Sequence, residues 1–135
     1  MIVVDTNIIG YFYLASEHSG QVEQVFSKDP HWVAPLLWRS EFRNILAFYM
    51  RKQILSLDEV LLIMDEAIGL MQEHEYEISS LQVLKLAASS NCSAYDCEFI
   101  ALAQELDVPL ITVDRQILQQ FPLTANSLEA YLANP

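Results

Sequence analysis

The chain is predicted to fold as an α/β protein in three layers, α/β/α, around a central and mostly parallel sheet. Three observations carry this. Short branched-apolar runs alternate with longer stretches of helical period, the order that builds a parallel sheet through right-handed crossovers. The first run, Ile2-Val3-Val4, lacks polar alternation, as in a strand buried on both faces. Hydrophobic residues make up 53%, with only three glycines and five prolines, which gives a packed core and little material for linkers. At this length, residues 1–135 read as one domain.

The elements follow in order. Ile2 to Val4 is a strand ending at Asp5, and Thr6 to Ala15 is a helix capped by Asp5 or Thr6. Ser19 to Phe26 is a short helix closed by Lys28-Asp29-Pro30, and His31 to Ala34 is a second strand. Pro35 opens a long helix to about Gln53, since proline is tolerated in a first turn. Ser56-Leu57-Asp58-Glu59 is a capping box that starts a helix to about Glu73. Tyr76 to Ile78 forms a third strand and Ser80 to Ser90 a helix. Ser93-Ala94-Tyr95-Asp96 has the capping-box form with aspartate and begins a helix to Leu106. Pro109 to Val113 is the fourth strand, followed by helices from Arg115 to Gln120 and from Ser127 to Leu132.

Eighteen acidic residues against seven basic ones give a formal net charge of −11. That excludes nucleic-acid binding through a broad basic face, but not through a few placed arginines. Cys92 and Cys97 lie five apart with no histidine or further cysteine at metal spacing. They read as two reduced thiols, and the expected compartment is the cytoplasm. The chain enters its first strand without a signal-peptide pattern, and no apolar stretch approaches the ~18 residues of a membrane span. A mean hydropathy of +0.22 points to a buried subunit interface, so a homodimer is expected.

Four acids resist a purely structural reading. In parallel sheets, ligands bind beyond the carboxyl ends of the strands, where Asp5 and Asp114 fall. Either alone reads first as a helix cap; two at two strand ends point to a site. Glu41 shares a helix face with Leu37, Ile45 and Phe48. A carboxylate there is costly unless it is paired or metal-bound, and Arg39 and Arg43, two positions away, point elsewhere. Asp96 shares a face with Phe99, Ile100 and Ala103, while Glu98 and Glu105 lie toward another. If the four converge, each pair of carboxylates ~5 Å apart repels by about 3 kcal/mol at an effective dielectric near 20. Such a group takes up protons or a cation. All-oxygen ligands select Mg²⁺ or Mn²⁺ over zinc, and such an ion suits phosphodiester hydrolysis.

The segments Val4-Asp5-Thr6-Asn7, Ser40-Glu41-Phe42-Arg43-Asn44, Tyr95-Asp96-Cys97-Glu98-Phe99-Ile100-Ala101-Leu102-Ala103 and Leu110-Ile111-Thr112-Val113-Asp114 carry a resemblance. In order and spacing they resemble the PIN-domain nucleases, and most closely the VapC-type toxins of toxin–antitoxin pairs. The resemblance implies a PIN-like fold and a metal-dependent endoribonuclease acting on RNA. It implies Asp5, Glu41, Asp96 and Asp114 as catalytic and metal-binding acids, with Mg²⁺ or Mn²⁺ as cofactor. Asn7 and Thr112 match positions of polar groups that orient the acids. An antitoxin protein is the implied partner.

Arg39 and Arg43, one helical turn apart, and Arg115 beside Asp114 are candidate phosphate contacts. Tyr11, Phe12 and Tyr13 read as core or dimer surface, and so do Trp38, Phe42 and Tyr49. The set Leu61, Leu62, Met64, Ile68, Leu70 and Met71 reads as core first, and as a surface for a second copy or an antitoxin helix second. His18, His31 and His74 have no partner at recognisable spacing. A phosphoryl-accepting receiver domain lacks its lysine after Asp114, and a haloacid-dehalogenase-type phosphatase lacks its second aspartate, because position 7 is asparagine. The alternative that stays open is a catalytically inactive PIN-like domain that binds protein or RNA.

Overall fold

A computed structural model describes residues 1–135. The elements run β1 (Ile2–Val4), α1 (Thr6–Tyr13), α2 (Ser19–Lys28), β2 (Trp32–Pro35), α3 (Trp38–Arg51), α4 (Leu57–Met71) and β3 (Glu75–Tyr76). They continue as α5 (Ser80–Ala88), α6 (Ala94–Leu106), β4 (Leu110–Ile111), α7 (Arg115–Gln120), β5 (Ala125–Asn126) and α8 (Leu128–Ala133). The sheet order is β3-β2-β1-β4-β5, and every neighbouring pair is parallel. The chain therefore starts in the middle of the sheet, winds outward to one edge, and returns to build the other. The reversal falls between β1 and β4, which creates a crevice beyond their carboxyl ends.

The unbroken apolar run of β1 suits its central place, with Ile2, Val3 and Val4 each at most 1% exposed. Helix α6 packs across β1, β2 and β4, with α5 lying against it, while α1 contacts α2, α3 and α4. Helix starts follow the expected chemistry. Ser56 and Glu59 close a full reciprocal capping box at α4. At α6 Ser93 Oγ accepts from the Asp96 backbone N–H.

Three expectations are corrected. The sheet has a fifth strand, Ala125–Asn126, that the sequence reading ran into a loop before the last helix. Two residues paired with Leu110 and Ile111 are too few for a periodic signal. Pro35 is the last residue of β2 and not the start of a helix; α3 begins at Trp38. The bridge of Pro35 with Tyr76 on β3 is made through its neighbours, the Leu36 N–H donating to the Tyr76 carbonyl, so this edge of the strand asks for no N–H from Pro35. Leu61 and Leu62 are 54% and 62% exposed and do not belong to the core, whereas Met71 is fully buried.

Candidate active site

Asp5 leaves β1 as the N-cap of α1 and is 7% exposed. Its Oδ1 accepts from the Thr6 N–H at 2.8 Å, and its Oδ2 accepts from the Thr112 hydroxyl at 2.7 Å. A longer bond from Asn7 Nδ2, 3.4 Å, reaches the same Oδ2. Thr112 itself is fully buried and also accepts from the Asp114 N–H at 3.0 Å. Asp114 caps α7, its Oδ1 accepting from the N–H groups of Gln116 and Ile117. One oxygen of Asp114 is thus fixed by the helix start, and the capping role expected of a lone aspartate coexists with a place at the crevice.

Glu41 approaches from α3. The buried ridge of that helix is Trp38, Phe42 and Leu46, and Glu41 stands beside it, half-buried. The apolar stripe assigned to it is corrected accordingly: Leu37 and Ile45 are half-buried and Phe48 is 52% exposed. Its partner is the Thr6 hydroxyl, which donates to Oε1 at 2.7 Å. Asp96 enters from the first turn of α6, half-buried. Asp5, Glu41, Asp96 and Asp114 line one open cleft of about 310 Å³ together with Thr6, Asn7, Asn44 and Ile45. Two larger hollows, about 450 and 390 Å³, share Gln104 on α6 and gather no comparable set of like charges.

The electrostatics report the crowding. Burial, with contributions from the charges of Glu41 and Asp96, lifts Asp5 to about 6 despite its bonds to Thr112 and Thr6. Burial and the charge of Asp96 raise Glu41, and burial and the charge of Asp114 raise Asp96. Asp5, Glu41 and Asp96 are thus disfavoured as anions by burial and by one another's and their neighbours' charge. No three of them form a ready-made ligand cluster. The donor set still fits a hard cation. Every candidate ligand is oxygen, no histidine or cysteine lines the cleft, and the Asn7 Oδ1 is buried without a hydrogen-bond partner.

Among the bases, Arg39 is withdrawn from the candidate phosphate contacts. Its guanidinium is held by Glu75 on β3, with Nε at 2.5 Å and Nη2 at 2.6 Å from the two carboxylate oxygens. The Trp38 indole N–H donates to the same carboxylate at 2.7 Å. Arg43 is exposed and spends only its Nε, on the Arg39 carbonyl. Arg115 is exposed immediately after Asp114.

Two further polar residues line the cleft without having been assigned to it from the sequence, Thr6 and Asn44. Asn44 is one turn on from Glu41, a spacing that was there to be used. Thr6 carried no signal, because its partner is 35 positions away. Glu98, assigned to another face of α6, lies outside the cleft lining but is half-buried and raised by burial and by the charge of Glu41.

The sequence pattern of the PIN domain matches residues 2–121. The chain belongs to the PIN-domain family. Ribonuclease VapC3 of Pyrobaculum aerophilum is 28% identical over 124 residues, covering 90% of this chain and 95% of that protein. Two solved structures share the PIN fold. PAE2754 of Pyrobaculum aerophilum superposes with a TM-score of 0.69 at 18% identity, over 98% of this chain and 93% of its own. FitAcB of Neisseria gonorrhoeae superposes with a TM-score of 0.73 at 15% identity, over 96% and 99%. No helix of this PIN domain is long and apolar enough to cross a membrane.

Proposed function

We propose that this PIN-domain protein is a metal-dependent endoribonuclease that hydrolyses RNA phosphodiester bonds, and the toxin of a toxin–antitoxin pair. The observation that carries the reading is the convergence of Asp5, Glu41, Asp96 and Asp114 on one cleft at the switch point of the sheet. Similarity to a ribonuclease over nearly the whole chain supports it.

The four acids would hold Mg²⁺ or Mn²⁺. When bound, such an ion supplies a nucleophilic water at neutral pH and charge stabilisation at the leaving oxygen. The chain's own residues orient the ligands. Thr112 and the Thr6 N–H fix Asp5, the Thr6 hydroxyl fixes Glu41, and the start of α7 fixes Asp114. Arg43 and Arg115 are the bases we assign to phosphate contacts, and with so few, RNA binding is expected to be weak and salt-sensitive.

The test is cleavage of a mixed single-stranded RNA in EDTA, Mg²⁺ or Mn²⁺, with Asp96→Asn alongside. Metal-dependent cutting lost in the variant supports the reading, and equal cutting by both overturns the site. A folded protein that binds RNA and never cuts would favour the second reading, a binding module. That second reading draws on the net charge of −11 and the engagement of Arg39 by Glu75.

Exposed Leu57, Leu61 and Leu62 on α4 are the apolar surface we assign to partners, a second copy of the chain and an antitoxin. A cytoplasmic location fits the two buried free thiols, Cys92 and Cys97. Coexpression with the neighbouring gene and size-exclusion chromatography test the partners.

A further inference from the structure

A second cavity adjoins the acid cleft. It measures about 220 Å³, is lined by Gly10, Tyr11, Leu14, Ile45 and Tyr49, and shares Asn7 and Ile45 with the cleft. Pockets that enclose drug-sized ligands run from roughly 300 Å³ upward, so this one suits a single flat ring system. Its walls are aliphatic and aromatic, in contrast to the carboxylates next door.

We propose that this cavity receives the base of a nucleotide adjoining the phosphate at the acid cleft, and so sets sequence preference. The proposal rests on the nuclease reading above and deepens it.

Four observations support a base as the occupant. The first is continuity: the cavity and the acid cleft meet at Asn7 and Ile45, which line both. The second is chemistry. Tyr11 and Tyr49 are the aromatic residues of its lining, and neither phenol makes a hydrogen bond within the chain, unlike Tyr13, whose hydroxyl donates to the Glu66 carbonyl. The Tyr11 ring is braced by His18, with centroids 4.7 Å apart.

The third observation is Gly10. It is the one buried glycine of the chain, lies in the interior of α1, and does not have the positive φ that would require glycine. A Cβ there would stand 3.8 Å from Ile45 Cδ1, an ordinary contact. Nothing in the packing therefore demands glycine, although glycine weakens a helix interior relative to alanine. Its effect is to keep the cavity open. The fourth is charge. With a net −11 and Arg39 engaged by Glu75, phosphate contacts are few, so stacking is the term left to hold RNA.

The experiment uses Asp96→Asn protein with Mn²⁺ and a short single-stranded RNA carrying one 2-aminopurine, whose fluorescence falls on stacking; binding is read without any cutting. Quenching at one position of the label, with affinity reduced about tenfold by Gly10→Val and less by Gly10→Ala, is expected. Tyr49→Leu provides the same reduction if Gly10→Val fails to fold. In the cutting-competent protein, Gly10→Ala raises KM more than it lowers kcat and flattens base preference at one position beside the cut in a randomised RNA. Quenching unchanged by Gly10→Ala and Tyr49→Leu, or absent throughout, overturns the proposal. So does a Gly10→Val protein that binds RNA normally but no longer holds a coexpressed protein partner, which would assign the cavity to that partner. A wild type that quenches 2-aminopurine and never cuts would instead reject the nuclease reading and leave the base pocket standing.

Discussion

The Thr112 hydroxyl donates to the Asp5 carboxylate at 2.7 Å, joining two strand ends that are 107 positions apart. Thr112 also accepts from the Asp114 N–H, so a single buried hydroxyl sets the relation between two of the four acids. Because the bond to Thr112 lowers the Asp5 pKa against the effect of burial, its removal has a direction that can be measured.

Thr112→Val keeps the shape of the side chain and removes both bonds. Cleavage is expected to fall by about 10- to 100-fold, as for other groups that orient metal ligands. The acidic limb of its pH–rate profile moves to higher pH, because Asp5 rises further above about 6. Thr112→Ser restores both. A rate loss with an unmoved profile would mean that Thr112 only supports the fold.

Asp96→Asn separates chemistry from stability. Cleavage falls by about 100-fold or more if Asp96 is a metal ligand. Burial and the charge of Asp114 raise Asp96, so the amide relieves repulsion and the metal-free protein is more stable at neutral pH. Urea melts in EDTA check the second half independently of the first.

The pH dependence of stability follows from Asp5. Its folded-state pKa, about 6, lies above the ordinary 3.8, so the folded chain holds the proton more tightly than the unfolded one. The contribution is present in full below pH 4 and is lost as pH rises through about 6, by up to about 3 kcal/mol. The stability difference between Asp5→Asn and wild type, measured in EDTA, is therefore expected to widen in favour of the variant from pH 4 to 6.5 and then level off.

Glu75 is a structural anchor for α3. Its carboxylate takes both the Arg39 fork and the Trp38 indole N–H, and the Arg39 guanidinium holds it below the usual carboxylate range. Glu75→Ala leaves the fully buried Trp38 with an unpaired donor and is expected to destabilise by about 2 kcal/mol. Glu75→Gln retains an acceptor for Trp38 and is milder. Neither changes the cleavage rate at temperatures where the fold persists, which a phosphate-binding Arg39 would contradict.

Gly10→Ala is expected to stabilise the chain by up to about 1 kcal/mol, the helix-interior difference between the two residues. The new methyl meets Ile45 at an ordinary distance. A higher urea midpoint at unchanged slope checks it.

The strands and helices were largely legible in the sequence because their signals are local. Ile2-Val3-Val4 has no polar interruption, Ser56 and Glu59 are three apart, and Asp5 and Asp114 each sit where an apolar run stops. The four acids could be picked out singly, since each stands where a carboxylate needs a reason. What the chain alone could not decide was who meets whom. Arg39 and Glu75 are 36 positions apart, Thr6 and Glu41 are 35, and none of these pairs shares an element. The same holds for β5, whose two residues are a strand only because β4 lies beside them. Local propensity and periodicity act within a few residues of chain, and they determined the elements and the candidate acids. The strand order, with its reversal between β1 and β4, is a property of packing, and it alone brought those acids, and the cavity at Gly10, to one end of the sheet.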